Sequence, residues 1–335
     1  MDQPQPTSSP KKAKLPGIWL ENNTELNILI LGETGVGKST FINAFVNYLN
    51  FGTLKDALKE SGPKCAIPSS FTWMGKQIRV KPNLGGFIRD QATRDEKDGT
   101  RGQSATQHTK RYKLDVGNAR VRLIDTPGIG DTRGVEQDKK NMDDILASLK
   151  SYGYEHLHGI IILLKPNTSR LTTGFKFCLK ELLTHLHRDA AKNIVFGFTD
   201  ARSTDFKHGE TFSLLQTMLK GDGITGIELS EKTTYYFDSV GFRCLAAHKK
   251  GIPIDAMGDV GGLEDTWKKS ASQTSSMLRH FVNTPPHRIA ETWDLYRTRE
   301  LVRILTVPMA NITQVSPLDH AWRCFQADYL FKIDH

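Results

Sequence analysis

Apolar residues along this chain recur in two rhythms, and their alternation predicts the architecture. Leu26 to Leu31 (LNILIL) is nearly continuous apolar sequence, the pattern of a parallel strand covered on both faces. Ser39 to Leu49 (STFINAFVNYL) instead spaces its apolar side chains three and four apart, as an amphipathic helix requires. Arg111 to Val116 and Ala119 to Ile124 read as strands joined by the tight turn Gly117-Asn118, hence an antiparallel hairpin. Further strands are predicted at Gly159 to Leu164, Asn193 to Thr199 and Thr233 to Phe237. Helical stretches fill the gaps at Asp138 to Lys150, Thr173 to His187 and Glu210 to Lys220. Strands alternating with helices predict an α/β fold: a three-layer arrangement with a mainly parallel sheet and helices on both faces.

From about Gly262 only the helical rhythm remains, at Leu263 to Phe281 and Arg288 to Leu305, broken by Asn283-Thr284-Pro285-Pro286. The N-terminal stretch is rich in Pro, Ser and Lys and lacks the apolar content needed to build a core. The expected organisation is a disordered segment over 1–24, a sheet domain over 25–250 and a C-terminal helical extension over 251–335.

Composition narrows the class. With 38% hydrophobic and 24% charged residues the chain is of the ordinary globular kind. Cys65, Cys178, Cys244 and Cys324 lie far apart with no C-x-x-C pair, so reduced thiols are expected in place of a disulfide framework or zinc site. The formal net charge of +8 is spread along the chain with no basic block, which gives no strong nucleic-acid signal. The polar N-terminus has no secretory core, and the longest apolar run, Ile160 to Leu164, is too short to span a bilayer. A cytoplasmic protein without a transmembrane segment is expected.

The chemistry is concentrated in two strand-end loops. Gly32-Glu33-Thr34-Gly35-Val36-Gly37-Lys38-Ser39 fits G-x-x-x-x-G-K-[ST], preceded by a buried strand and followed by an amphipathic helix. In such a loop successive backbone N–H groups and the helix N-terminus wrap a phosphate. Lys38 is then expected to reach the β- and γ-phosphates, and the Ser39 hydroxyl, followed by Thr40, to bind Mg²⁺. The second loop, Asp125-Thr126-Pro127-Gly128, ends an apolar strand. Asp125 is expected to hold Mg²⁺ through a water and Gly128 to offer its N–H to a γ-phosphate.

These segments together resemble the translation-factor-type GTPases, and within them the group containing septins, AIG-type GTPases and chloroplast import receptor GTPases. The resemblance rests on GETGVGKST, Ser104-Ala105-Thr106-Gln107, IDTPGIGDTRG, the LHGIIILL strand, FTDAR and YYFDS, and covers roughly Asn27 to Leu245. It implies a P-loop G domain binding GTP or GDP with Mg²⁺. It implies a first switch loop between Gly85 and Tyr112, in which Thr106 completes the metal and γ-phosphate contacts, with Thr100 and Thr109 as competitors. Gly130 to Glu136 make the second switch by the same likeness.

The Asn/Thr-Lys-x-Asp string of most GTPases is missing. The matching strand end reads Phe198-Thr199-Asp200-Ala201-Arg202, which makes Asp200 the guanine acceptor and Asp205 the alternative; a turn cap is the plainer role for Asp200. Asp238-Ser239 stand where the family places its last base-contacting loop. The residue after Gly128 is Ile129, where small GTPases carry a water-orienting Gln. Hydrolysis is therefore expected to be slow, with Thr106, His108 or Arg133 as candidate helpers. The resemblance to septins and their relatives, which dimerise across or near the nucleotide, implies a homodimer or oligomer through this domain whose second copy supplies the missing contact. A non-hydrolysing scaffold and an ATP-using enzyme are the alternatives.

Overall fold

The computed structural model describes residues 24–83, 106, 108–116, 119–128, 135–151, 153–169, 171–172, 175–176, 179–180, 188–221, 226–295, 297–298 and 301–302. The N-terminal segment, most of the predicted first switch, residues 130–134 of the second, the Gly117-Asn118 turn and the last stretch of chain lie outside the described residues. So do Thr100, Ile129, Arg133, Cys178 and Cys324.

Six strands form the central sheet. They are β1 (Glu25–Gly32), β4 (Lys110–Val116), β5 (Ala119–Asp125), β7 (Gly159–Leu164), β8 (Ile194–Phe198) and β9 (Thr234–Tyr236). Their order is β4-β5-β1-β7-β8-β9. All neighbours run parallel except β4, which pairs antiparallel with β5 from Lys110↔Asp125 to Val116↔Ala119. This is the predicted mainly parallel α/β sheet with one antiparallel edge hairpin.

The helices are α1 (Lys38–Asn50), α2 (Leu54–Lys59), α3 (Val135–Ser151), α4 (Glu210–Gly221), α5 (Val240–His248) and α6 (Val260–Asn283). Residues 175–176 and 179–180, within the helix predicted at Thr173 to His187, are also helical. Alternate residues of the central strands are buried on both sides, as a doubly covered sheet requires. Ile28 and Ile30 of β1 and Ile161 and Leu163 of β7 join a core with Phe41, Ile42 and Phe45 of α1 and Met277, Leu278 and Phe281 of α6. Leu29, Leu31, Ile160 and Ile162, which point the other way, are buried as well. Burying a side chain of this size stabilises the fold by roughly 1.5–3 kcal/mol each.

Three features escaped the periodicity. The hairpin β2 (Ser69–Trp73) and β3 (Lys76–Val80) turns through Met74 and Gly75, both with positive φ (49° and 74°). Two-residue turns of this kind favour Asn-Gly or Asp-Gly, so a Met at the first position hides the signal. The short helix α5 follows β9 directly. Two-residue strands β6 (His156–Leu157) and β10 (His287–Arg288) pair antiparallel with each other.

The chain divides into two compact units, residues 1–289 and 290–335. Helix α6 belongs to the first, burying Leu263, Trp267, Ala271, Met277, Leu278 and Phe281. The described residues of the second unit are helical. No described helix is long and apolar enough to cross a membrane. Cys65 and Cys244 are buried thiols, Cys65 donating to the Ile67 carbonyl (2.9 Å) and Cys244 to Met257 Sδ (3.1 Å).

Candidate functional site

The C-terminal ends of parallel strands are where an open α/β sheet presents loops free of the sheet ladder. Here β1, β5, β8 and β9 all deliver candidate residues to that edge. Ile30 of β1 pairs with Asp125 of β5, and Gly32 with Leu163 of β7, which fixes the two chemical loops side by side.

The loop after β1 makes a compact turn. Val36 donates its N–H to the Glu33 carbonyl (3.2 Å), and Gly35 and Gly37 adopt left-handed φ of 82° and 98°. Gly37 caps α1 in that conformation, one that an L side chain rarely adopts. Open space surrounds both glycines, so backbone conformation and not crowding requires them. Lys38, the first helical residue, folds back over the loop. Its ammonium donates to the carbonyls of Gly32 (2.9 Å) and Glu33 (3.3 Å) and is buried. Burial pulls the Lys38 pKa down to about 8, against the opposing pull of the Asp125 and Glu33 carboxylates. Ser39 and Thr40 follow on the first turn, half-buried. Glu33 itself accepts a hydrogen bond from the Thr172 hydroxyl.

Asp125 is fully buried at the end of β5, and its carboxylate accepts a hydrogen bond from the Thr106 hydroxyl (2.9 Å). Of the three threonines proposed for this role, the structure brings Thr106 to the aspartate. Thr109 is buried with its backbone N–H on the Asp144 carboxylate of α3 (2.7 Å), and Thr100 lies outside the described residues. His108 also faces Asp144, at 3.5 Å. Thr126 donates to the Ile30 carbonyl (2.8 Å), pinning the second loop to β1. Gly128 packs directly on the phosphate loop: a Cβ there would stand 2.2 Å from the Thr34 hydroxyl oxygen and 2.8 Å from its Cα. Asn141 of α3 donates to the Gly128 carbonyl (3.2 Å).

A cleft of about 280 Å³ opens beside this loop. Its lining gathers Val36, Gly37 and Thr40 of the phosphate loop with Thr199, Asp200, Asp238 and Ser239, so the strand ends proposed for base contact converge on one space. Their side chains have different duties. Thr199 spends its hydroxyl on the Val36 carbonyl (2.8 Å), tying β8 to the loop. Asp200 is exposed, has a left-handed backbone (φ 54°) and makes no cap hydrogen bond; the Lys165 ammonium is 3.9 Å away. Asp205 is engaged elsewhere, with Lys269 at 2.9 Å and Lys207 at 3.9 Å, and the hydrogen bond from Lys269 holds its carboxyl below the usual range.

Asp238 is a structural hub. Its carboxylate accepts the backbone N–H groups of Arg202 (2.9 Å) and Val240 (2.8 Å), its carbonyl accepts the Tyr48 hydroxyl, and its N–H donates to Ser270 Oγ (3.1 Å). Burial raises its pKa while the two N–H groups oppose the rise. Ser239 sits at the start of α5 without a side-chain cap.

The sequence reading missed the rest of the lining: Ser69, Ser70 and Phe71 of β2, and Val240 and Arg243 of α5. The alternation Phe71-x-Trp73 around Met74-Gly75 was the available signal. A larger cleft, about 650 Å³, lies at the other end of β1 against Glu25, Asn27, Arg122 and His158, away from both loops.

The donors in the loops, Ser39, Thr106 and Asp125, are all oxygen. That set suits a hard cation holding several waters and phosphate oxygens, as Mg²⁺ does, and no described cluster of His, Cys, Asp and Glu offers a transition-metal site.

No protein-family description and no curated protein sequence matches the chain. Among solved structures it is similar to Toc33 from Arabidopsis thaliana in complex with GDP and Mg²⁺, at 12% identity, TM-score 0.43, covering 79% of this chain and 88% of that one. A structure reported for the dimerisation-dependent GTPase activity of the chloroplast translocon components atToc33 and psToc159 aligns at 16% identity and TM-score 0.39 over 71% and 84%. The G domain of the T. maritima FeoB iron transporter aligns at 14% identity and TM-score 0.29 over 68% and 99%. At such identities and TM-scores these likenesses bear no weight for function, which must come from the residues.

Proposed function

We propose that this chain is a guanine-nucleotide-binding switch protein that takes GTP and GDP with Mg²⁺ and hydrolyses GTP slowly. The observation that carries the reading is the placement of Thr106 on the buried Asp125 carboxylate, within the electrostatic reach of Lys38. A buried cation and a hydroxyl–carboxylate pair at the ends of adjacent parallel strands have a common purpose if a Mg²⁺-triphosphate lies between them. Gly35 to Ser39 would wrap the phosphates, Lys38 would exchange the loop carbonyls for phosphate oxygens, and Ser39, Thr106 and Asp125 would hold the metal. The bound metal supplies neutralisation of the charge that develops on the transferred phosphoryl oxygens. Asp200, exposed at the cleft, accepts from the base.

Gly128 against Thr34 makes the second loop sensitive to whatever occupies the phosphate site, because its backbone cannot move toward the loop without collision. This is the element that would read GTP against GDP. Ile129 is an apolar residue that cannot orient water, which supports slow intrinsic turnover and a contact supplied by a second copy of the chain. The division into a G domain over 25–250 and an extension over 251–335 belongs to the same proposal.

Single-turnover phosphate release at varied protein concentration tests the enzymatic half. A rate that rises with protein concentration supports assisted hydrolysis. No release at any concentration would replace the switch with a nucleotide-locked scaffold.

A further inference from the structure

Arg243 packs on aromatic rings but has no polar partner among the described residues. Its guanidinium stacks on Phe71 (5.2 Å to the ring centroid) and Trp73 (5.5 Å), the two aromatic residues that β2 presents toward α5. Among the described residues it forms no ion pair, and its buried Nε has no hydrogen-bond acceptor. Half-buried guanidinium groups ordinarily meet a carboxylate or carbonyl, because stripping water from unpaired N–H donors is costly. Of the two carboxylates that line the cleft, Asp238 is taken up by the N–H groups of Arg202 and Val240, and Asp200, exposed and 3.9 Å from the Lys165 ammonium, makes no ion pair with Arg243. Arg243 thus lines the cleft as a donor fork lying over two rings, with no acceptor among the described residues.

Resting on the nucleotide reading above, we infer that Arg243 is the residue that selects guanine over adenine. The two purines differ at one edge: guanine offers two acceptors, O6 and N7, whereas adenine offers N7 beside an N6 donor. A planar guanidinium matches two adjacent acceptors and is repelled by an adjacent donor. The Asn/Thr-Lys-x-Asp string is absent from this chain, and α5 with the β2–β3 hairpin brings Arg243 to the cleft from a different part of the fold. Phe71 and Trp73 act as positioning residues, fixing the guanidinium plane so that little freedom is lost on binding. The cleft then has complementary chemistry: Asp200 accepts from the base N–H groups, and Arg243 donates to the opposite edge.

The test is equilibrium binding of GDP, IDP, ADP and XDP with Mg²⁺ to the full chain and to Arg243→Ala and Arg243→Lys. IDP keeps both acceptors of guanine and loses only the exocyclic amine. In Arg243→Ala, GDP and IDP weaken in parallel by about tenfold to a hundredfold while ADP changes little, the size expected when a bidentate pair is lost. Arg243→Lys, which keeps the charge and the apolar stem but not the fork, recovers only part of the GDP preference. Equal weakening of GDP and ADP, or an unchanged GDP-to-ADP ratio with tight GDP binding, overturns the assignment and leaves the nucleotide reading standing. A wild-type chain that binds none of the four overturns both. Thermal melting of each variant without nucleotide separates a folding defect from a recognition defect, and Arg243→Lys carries the test should Arg243→Ala fail to fold.

Discussion

The Thr106 hydroxyl donates to the Asp125 carboxylate at 2.9 Å, joining a loop residue to the buried end of β5. Both residues are buried, so the bond is made in a medium where a lost partner is felt. Thr106→Ala is expected to cost the nucleotide-free chain about 1.5–3 kcal/mol, the range for a hydrogen bond to a charged group. Urea unfolding measures this. The same variant weakens Mg²⁺-dependent GTP binding by about tenfold or more, and Thr106→Ser retains most of both.

Gly128 admits no side chain. A Cβ would collide with the Thr34 hydroxyl and, at 2.8 Å, with the Thr34 backbone, so a rotamer change cannot fully relieve it. Gly128→Ala is expected to destabilise by about 1–3 kcal/mol through overpacking. Thr34→Gly in the same chain removes the hydroxyl and the Cβ but leaves the backbone where it stands, so rescue is partial. A double-mutant cycle by chemical denaturation reports a favourable coupling between the two changes.

Lys38 makes the stability of the nucleotide-free chain depend on pH in an unusual direction. Its folded pKa is pulled to about 8 from the ordinary 10.5, so between these values the unfolded chain holds the extra proton. Stability therefore rises as pH increases through that window, by an amount on the order of a few kcal/mol from this group. Lys38→Met removes the slope while abolishing nucleotide binding. Phosphate oxygens favour the charged form, so GTP affinity in the wild type falls as pH climbs above about 8. His158 acts with the same sign lower down: burial holds it near 4 and its Nδ1 accepts the Asn27 N–H (3.1 Å), so stability is lost as pH falls from about 6.5 toward 4. Unfolding free energies measured from about pH 4 to about pH 10 in the wild type and in Lys38→Met check both, since the substitution removes the alkaline slope and leaves the acid one.

Asp238 is expected to behave as a hub before it behaves as a ligand contact. Asp238→Ala strands the N–H groups of Arg202 and Val240 and unties the turn after β8 from the loop between β9 and α5, costing about 3 kcal/mol or more for two hydrogen bonds to a charged acceptor. Its melting temperature without nucleotide falls by several degrees. An unchanged melting temperature would mean that the carboxylate serves only the ligand.

The legible parts of this fold were those governed by local pattern. The run LNILIL, the glycine loop and the helix behind it lie within a few residues of one another, and the strand ending at Asp125 carries its own apolar alternation. Each therefore announced itself. The cleft was legible only on one side: Thr199, Asp200, Asp238 and Ser239 were named, yet nothing local distinguished Asp238 as a hub, since its partners Tyr48 and Ser270 are far away in sequence. Phe71 and Arg243 were missed for the same reason. They meet across 172 positions, in a hairpin whose turn has Met where Asn is usual and a helix of 9 residues. Tertiary packing, which sequence periodicity does not record, creates that half of the site.

The central claim is that the loop from Gly32 to Ser39 and the Thr106–Asp125 pair together hold a guanine nucleotide with Mg²⁺. Titration of a fluorescent GDP analogue into the purified chain, with Mg²⁺ or with chelator, and with unlabelled GTP and ATP as competitors, tests it directly. The account predicts saturable binding that GTP displaces far better than ATP, that weakens on chelation and that is lost in Lys38→Ala. Equal displacement by ATP and GTP, or undiminished affinity in Lys38→Ala, would contradict it.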